Sequence, residues 1–278
     1  MILLIKIELL KIFRKWRTYI GFFAIGVLVI IIQTALYFTG EGYIKSLTRG
    51  FQESFIMVGN LFNGYLVANL VLNGLVIHIP FLIVLVGGDL LASEATAGTY
   101  RMLLTRPVSR LKVVSAKFIA GIIYVFLLIV WLAILSLGVS CLLFGTGELI
   151  SFSGKLIIFS RDDVLWRFAG AYGFSILSMT TVFALSYFFS SLVENAIGPI
   201  VATMAVIIIF LILSAIPIDF LKDLSPYFFT THMVHWASFF NDPVDYKEII
   251  ESAIVLFGHI LALYCITAYL FIKKDILS

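Results

Sequence analysis

His232 and His235 stand three residues apart, a spacing that puts two imidazoles on one helical turn and is the sequence's nearest approach to a metal-ligand pattern. A bound metal normally takes three or four protein ligands. No third ligand lies close to this pair, so surface anchoring is the competing reading and no metal is expected. ATP hydrolysis through a P-loop is not expected either: such a loop needs a glycine-rich turn followed by Lys and then Ser or Thr, whereas Gly154-Lys155 runs on into Leu156. HExxH, GxSxG and CxxC do not occur, and Cys141 and Cys265 fall in separate apolar runs, where they read as packing residues. No residue is therefore expected to be catalytic, and no cofactor to be held by this chain.

What remains are polar residues inside or beside apolar runs, which in a membrane are functional candidates by default. Asn69 and Asn73 share a helical face and either line a path, with Thr203 as a further candidate, or bond neighbouring helices. His78 and His259 read as neutral, hydrogen-bonded packing residues. Asp89 and Glu94 lie near Arg101 and Arg106, so a local ion pair or a cap competes with a gating role. Glu194, in a very short link, either meets a partner or is solvated.

The elements that must position these residues follow from composition. Of 278 residues 62% are hydrophobic and 13% charged, against roughly 25% charged in soluble domains, and the mean hydropathy is +1.10. Such a chain cannot cover itself with polar surface. Six runs, at about 18–39, 66–90, 118–144, 168–189, 196–216 and 252–272, are each long enough to cross about 30 Å of hydrocarbon. An all-α membrane protein with a single membrane domain is predicted. The net charge of +3 is small and its basic residues flank predicted membrane boundaries, so nucleic acid is not an expected partner.

Residues 1–17 lack the order of a cleavable signal, because charged and apolar residues are interleaved. Ile5, Leu9, Ile12 and Trp16 fall on one helical face, with Glu8, Lys11, Arg14 and Lys15 on the other. This predicts an interfacial helix resting on lipid, with Lys11, Arg14, Lys15 and Trp16 at the membrane surface; positive flanks of the first span are the simpler alternative. If the start is inside, twelve of nineteen Lys and Arg residues fall on the cytoplasmic side. The positive-inside rule then puts both termini in the cytoplasm of a cell with this protein in its cytoplasmic (inner) membrane. Residues 217–248 carry aromatics suited to an interface and predict short extracytoplasmic helices before the last span.

Residues 87–117, between spans two and three, are too structured for a plain loop. Ser93 is placed to cap a short helix, Arg106-Pro107 to interrupt it, and Ser109 to cap the next. Leu103 and Leu104 are apolar where a connector would be polar, so either a protein partner or lipid covers them. The run Glu94, Gly98-Thr99, Leu103-Leu104, Arg106-Pro107-Val108-Ser109-Arg110 and Lys117 resembles the region before the third span of type-2 ABC transporter permeases, and with six spans the resemblance covers essentially the whole chain.

That resemblance implies a permease, usually an exporter, in which two subunits, identical or related, pair with two cytoplasmic ATPases. ATP and Mg would be held by the partner. It also implies that residues 91–117 form the coupling segment, with Glu94, Gly98, Thr99, Leu103, Leu104, Arg106, Pro107 and Arg110 at the ATPase. An ATPase-driven mechanical or regulatory complex is the alternative. An enzyme acting on membrane lipids would need acid, base or metal ligands at one depth, and a secondary transporter an ionisable ladder or inverted repeats of broken helices. Neither is seen.

Overall fold

The computed structural model describes residues 1–52, 61–96, 98, 108–152 and 156–273. A helix α1 (Ile2–Arg14) ends at Lys15, whose backbone is extended, and α2 (Trp16–Gln52) begins at once. Next come α3 (Gly64–Leu75), α4 (Ile79–Gly87) and α5 (Asp89–Thr96). After the undescribed residues, α6 (Arg110–Ala133) passes through a π-helical turn, Ile134–Val139, into α7 (Ser140–Phe144). An antiparallel hairpin of β1 (Leu149–Phe152) and β2 (Leu156–Phe159) leads to α8 (Arg161–Leu192) and α9 (Ile197–Ala215). Short helices α10 (Asp219–Leu224) and α11 (Phe229–Met233), with 3-10 turns at Ser225–Tyr227 and Val234–Phe240, precede α12 (Tyr246–Lys273).

Among the described residues six helical segments are long and apolar enough to cross a membrane. The chain is thus an all-α membrane protein, the hairpin being its small exception. The sequence reading predicts no strand, because four-residue strands are too short to show a period-two pattern; Leu149 and Phe159, paired across the hairpin, are both buried.

Span two departs from the continuous helix predicted over 66–90. Asn63 caps α3 by accepting hydrogen bonds from the amides of Tyr65 and Leu66, at 3.0 and 3.3 Å. The chain then breaks before α4, where Pro80 occupies the first turn and needs no amide partner. A second break at Gly88 is stitched by Ser190 of α8, which accepts from the amides of Leu91 and Ala92 and donates to the Gly88 carbonyl at 2.7 Å. Freed backbone groups in a span must be satisfied internally, and α8 supplies the means.

Helix α8 is the central post. Of its apolar window 72% is buried, against 22%, 17% and 22% for the windows of α2, α9 and α12. In water those outer faces would be a liability; against lipid they are the expected surface. Close packing at the centre depends on small residues: a Cβ at Gly121 of α6 would lie 1.9 Å from the Phe183 ring of α8. The π-helical turn in the third span is held by Gln33 of α2, which donates to the Leu135 carbonyl and to Ser140 Oγ, each at 2.9 Å.

Candidate functional site

Helix α1 presents Glu8 and Ile12 to the bundle, both buried. Trp16, expected at the membrane surface, is 88% exposed. For Glu8 the sequence expectation, a place on the polar outer face, is reversed. The reversal has an electrostatic cause. Lys117 of α6 is only 1% exposed, and a buried ammonium is tolerated only when paired.

Its Nζ lies 2.6 Å from Glu8 Oε2 and 2.6 Å from Glu94 Oε1 of α5. Lys11 Nζ bridges the same carboxylates at 2.9 and 2.8 Å. Beside them Asp89 takes Lys15 at 2.7 Å and Arg17 at 2.9 Å, and Lys15 also donates to Ser93 Oγ at 2.9 Å. Burial alone would lower the pKa of Lys11, yet it is raised, because hydrogen bonds and charge from Glu94 and Glu8 outweigh the loss of hydration. The space left between these side chains is about 20 Å³, room for roughly one water. Three segments, α1, α5 and the start of α6, are thereby joined through charge.

The cluster frames the segment singled out from sequence. Helix α5 ends at Thr96, whose hydroxyl lies against the carbonyls of Ala92 and Glu194, the latter in the link between α8 and α9. Gly98 follows with φ +61°, a left-handed conformation that favours glycine at a helix end, its amide bonded to the Ala95 carbonyl at 3.0 Å. Thr99, Leu103, Leu104, Arg106 and Pro107 lie outside the described residues, as does Arg101. On the far side Ser109 caps α6 by accepting from the Lys112 amide, and Arg110 donates to the Ile272 carbonyl at the end of α12, at 2.9 Å. The described residues on either side of this stretch, Thr96 and Arg110, are therefore tied to the bundle, and Glu94 and Lys117 connect the two sides directly.

Residues 4–211, from α1 into α9, match the family described as ABC-2 family transporter protein. The chain belongs to this ABC-2 transporter family. It is a multi-pass membrane protein and the permease component of an ABC transporter, a kind of subunit that works with an ABC ATPase. No curated protein matches it significantly.

The permease brings together residues that the sequence reading kept apart. Asp89 and Glu94 pair with Lys15, Arg17, Lys11 and Lys117, so the described ion pairs run between segments rather than within the local stretch. Ser93 is not an N-cap. It lies inside α5, its hydroxyl donating to the Asp89 carbonyl at 2.5 Å. Glu8 and Lys117 were the residues hardest to find. Their signal was there: a lysine eight residues into an apolar helix demands an acidic partner, and Glu8 stands at one end of the i, i+3 pair with Lys11.

Among the other candidates, Asn73 is exposed and donates to the carbonyl and side-chain oxygens of Asn69, at 2.9 and 3.0 Å. Thr203 is fully buried on the α9 stripe of Pro199, Thr203 and Ile207, its hydroxyl donating to the Pro199 carbonyl at 2.7 Å. His78 is exposed at the α3–α4 break, with Nδ1 3.0 Å from the Gly74 carbonyl; His259 bonds the Val255 carbonyl at 2.9 Å.

At the other end of the bundle Arg167, 5% exposed, pairs with Asp163 and donates to the carbonyls of Phe239 and Asn241, each at 2.9 Å. Nearby, His232 Nε2 lies 2.8 Å from the Pro226 carbonyl, which can only accept, so Nε2 carries a hydrogen and donates there. Ser252 Oγ lies within hydrogen-bond distance of both His232 Nδ1, at 2.9 Å, and His235 Nδ1, at 2.5 Å, and His235 Nε2 lies 3.2 Å from Glu248. Burial holds the His235 pKa below its ordinary value, with Glu248 opposing and His232 adding to the shift. Among the described residues no group of three His, Cys, Asp or Glu is placed to share a metal ion.

Proposed function

We propose that this permease is an exporter half in the cytoplasmic (inner) membrane, that both termini and residues 91–117 face the cytoplasm, and that residues 91–117 are the segment that couples to the ATPase. Leu103 and Leu104 fill a groove on that partner, and Arg106 orients the contact from its rim. Two permease copies, or this chain and a paralogue, alternate access at their mutual interface, with Asn69 and Asn73 facing the path and Thr203 serving packing. ATP and Mg belong to the partner, which performs the hydrolysis. Helix α1 lies at the lipid interface.

The observation that supports this reading is the link of Lys117 to both Glu8 and Glu94, at 2.6 Å each. A push on residues 97–107 reaches α5 through Glu94 and α6 through Lys117, and α1 is tied to both. Movement of a docked segment is in this way shared between spans two and three instead of being lost in a loose loop. Arg110 acts as the anchor to α12.

Purification of a tagged full-length chain in mild detergent should recover an ABC ATPase. Truncating buried interface anchors commonly costs about 2 kcal/mol or more, so a Leu103→Ala, Leu104→Ala variant should reach the membrane at normal level and lose the ATPase or its coupling. Retention of both would make the segment a lipid-facing hairpin and sink the docking assignment. Orientation is tested by impermeant thiol labelling in intact cells: a cysteine at Ser153 should react and one at Thr105 should not.

A further inference from the structure

Along α2, beginning at the α1 corner, runs an open groove of about 680 Å³, within the range of pockets that hold small-molecule ligands. Trp16, Tyr19, Phe23, Val27 and Ile30 line its length, and Trp131 of α6 forms a wall. From Trp16 to Ile30 is fourteen residues, about 21 Å along the helix axis, enough to pass through one leaflet of a hydrocarbon core about 30 Å thick. The lining is almost wholly apolar apart from the end at the α1 corner, where Arg14 sits.

That end carries donors for which the described residues offer no acceptor. Lys15 and Arg17, its neighbours in sequence, are paired with Asp89, and Trp131 Nε1 donates to the Phe22 carbonyl at 3.1 Å. By contrast the Arg14 guanidinium, the Trp16 indole N–H and the Tyr19 hydroxyl have no partner among the described residues. A guanidinium fork matches the geometry of a phosphate, and Trp and Tyr favour the headgroup level. The occupant must therefore combine an anionic, acceptor-rich head with a long apolar tail. A second copy of this chain docking through the same face would set trench against trench and leave both unfilled.

We propose that this groove is a binding site for an anionic phospholipid, its phosphate held by Arg14 with Trp16 and Tyr19, and one acyl chain laid along α2 as far as Ile30. The site is separate from the charge cluster: it lies on the outer face of α2, and none of its donors touches Glu8, Asp89 or Glu94. A lipid seated there braces the corner between α1 and α2, whatever the permease carries.

The test is native mass spectrometry of the full-length chain in mild detergent, titrated in parallel with phosphatidylglycerol and phosphatidylcholine of the same acyl chains. The wild type should retain the anionic lipid about fivefold more tightly, the gain expected of one basic residue at a membrane surface, and Arg14→Gln should abolish that preference. A Cβ at Gly26 meets nothing within 4 Å, so Gly26→Phe fills the groove without crowding the core. This variant should keep the wild-type circular-dichroism melting curve measured without added lipid and bind either lipid less. Equal retention of the two lipids by the wild type, or undiminished anionic binding in either variant, overturns the proposal. So does a disulfide-linked dimer formed in high yield by Gly26→Cys, which would put a second copy in the groove.

Discussion

At the α1 end of the bundle, Lys117 and Lys11 share Glu8 and Glu94 between three segments; at the other end, Arg167 holds the Val234–Phe240 turn and the residue after it through the backbone carbonyls of Phe239 and Asn241. Both arrangements solve the same problem, a buried cation in an apolar protein. They solve it in different currencies of motion. Side-chain carboxylates with two cations each can exchange partners while every charge stays paired, so helices joined this way can slide. A carbonyl is fixed in the backbone, and breaking its bond to Arg167 requires the backbone itself to move. The first end is suited to transmitting displacement and the second to resisting it.

Lys117→Met strikes this contrast hardest, because it leaves Glu8 and Glu94 buried against a lost partner. Removing one member of a buried pair costs about 3–5 kcal/mol, and detergent-solubilised variant should show that loss in a denaturant titration followed by circular dichroism. Neutralising the carboxylates as well, in Glu8→Gln, Lys117→Met, Glu94→Gln, should restore much of it; equal stability of the single variant and the wild type would mean the cluster carries no buried charge. Arg167→Met should cost less, about 2 kcal/mol, near the value of a hydrogen bond to a charged group, because Asp163 keeps water access with its side chain 40% exposed. A loss larger than that of Lys117→Met would reverse the ranking of the two ends.

Lys15→Met sharpens the comparison within the cluster. Lys15 is 42% exposed and Arg17 still pairs with Asp89, so the change should fall within about 1 kcal/mol. The smallest effect concerns pH. Because the folded pKa of His235 lies below its ordinary value of 6.5, the unfolded chain binds the proton more readily, and stability present above pH 6.5 should decline as pH falls below it. Melting curves at pH 7.5 and 5.5 should show this decline, and His235→Gln should remove that part of it. Glu248→Gln takes away a neighbour that favours the charged ring and should widen the gap.

Six spans, the short helices before the last of them, the cap at Ser109 and the lack of catalytic motifs were all legible from residue types and spacing, because bilayer thickness and helix capping act over one or two turns. The resemblance of residues 94–117 to ABC-2 permeases was legible for the same reason, and the family match over residues 4–211 agrees with it. Partnerships across the chain were not. Periodicity shows that Glu8 and Lys11 share a neighbourhood, but not which way that face turns, since a charged face can meet water or an opposite charge with equal ease. Only the packing of α1 on α6 decided that Glu8 points inward at Lys117, 109 residues away. Likewise the sequence reads span two as one continuous helix and misses its break before Pro80, while the second break, at Gly88, depended on Ser190 of a distant helix to satisfy the exposed amides. Local physics determined where helices could form; long-range pairing of buried polar groups determined how they face one another.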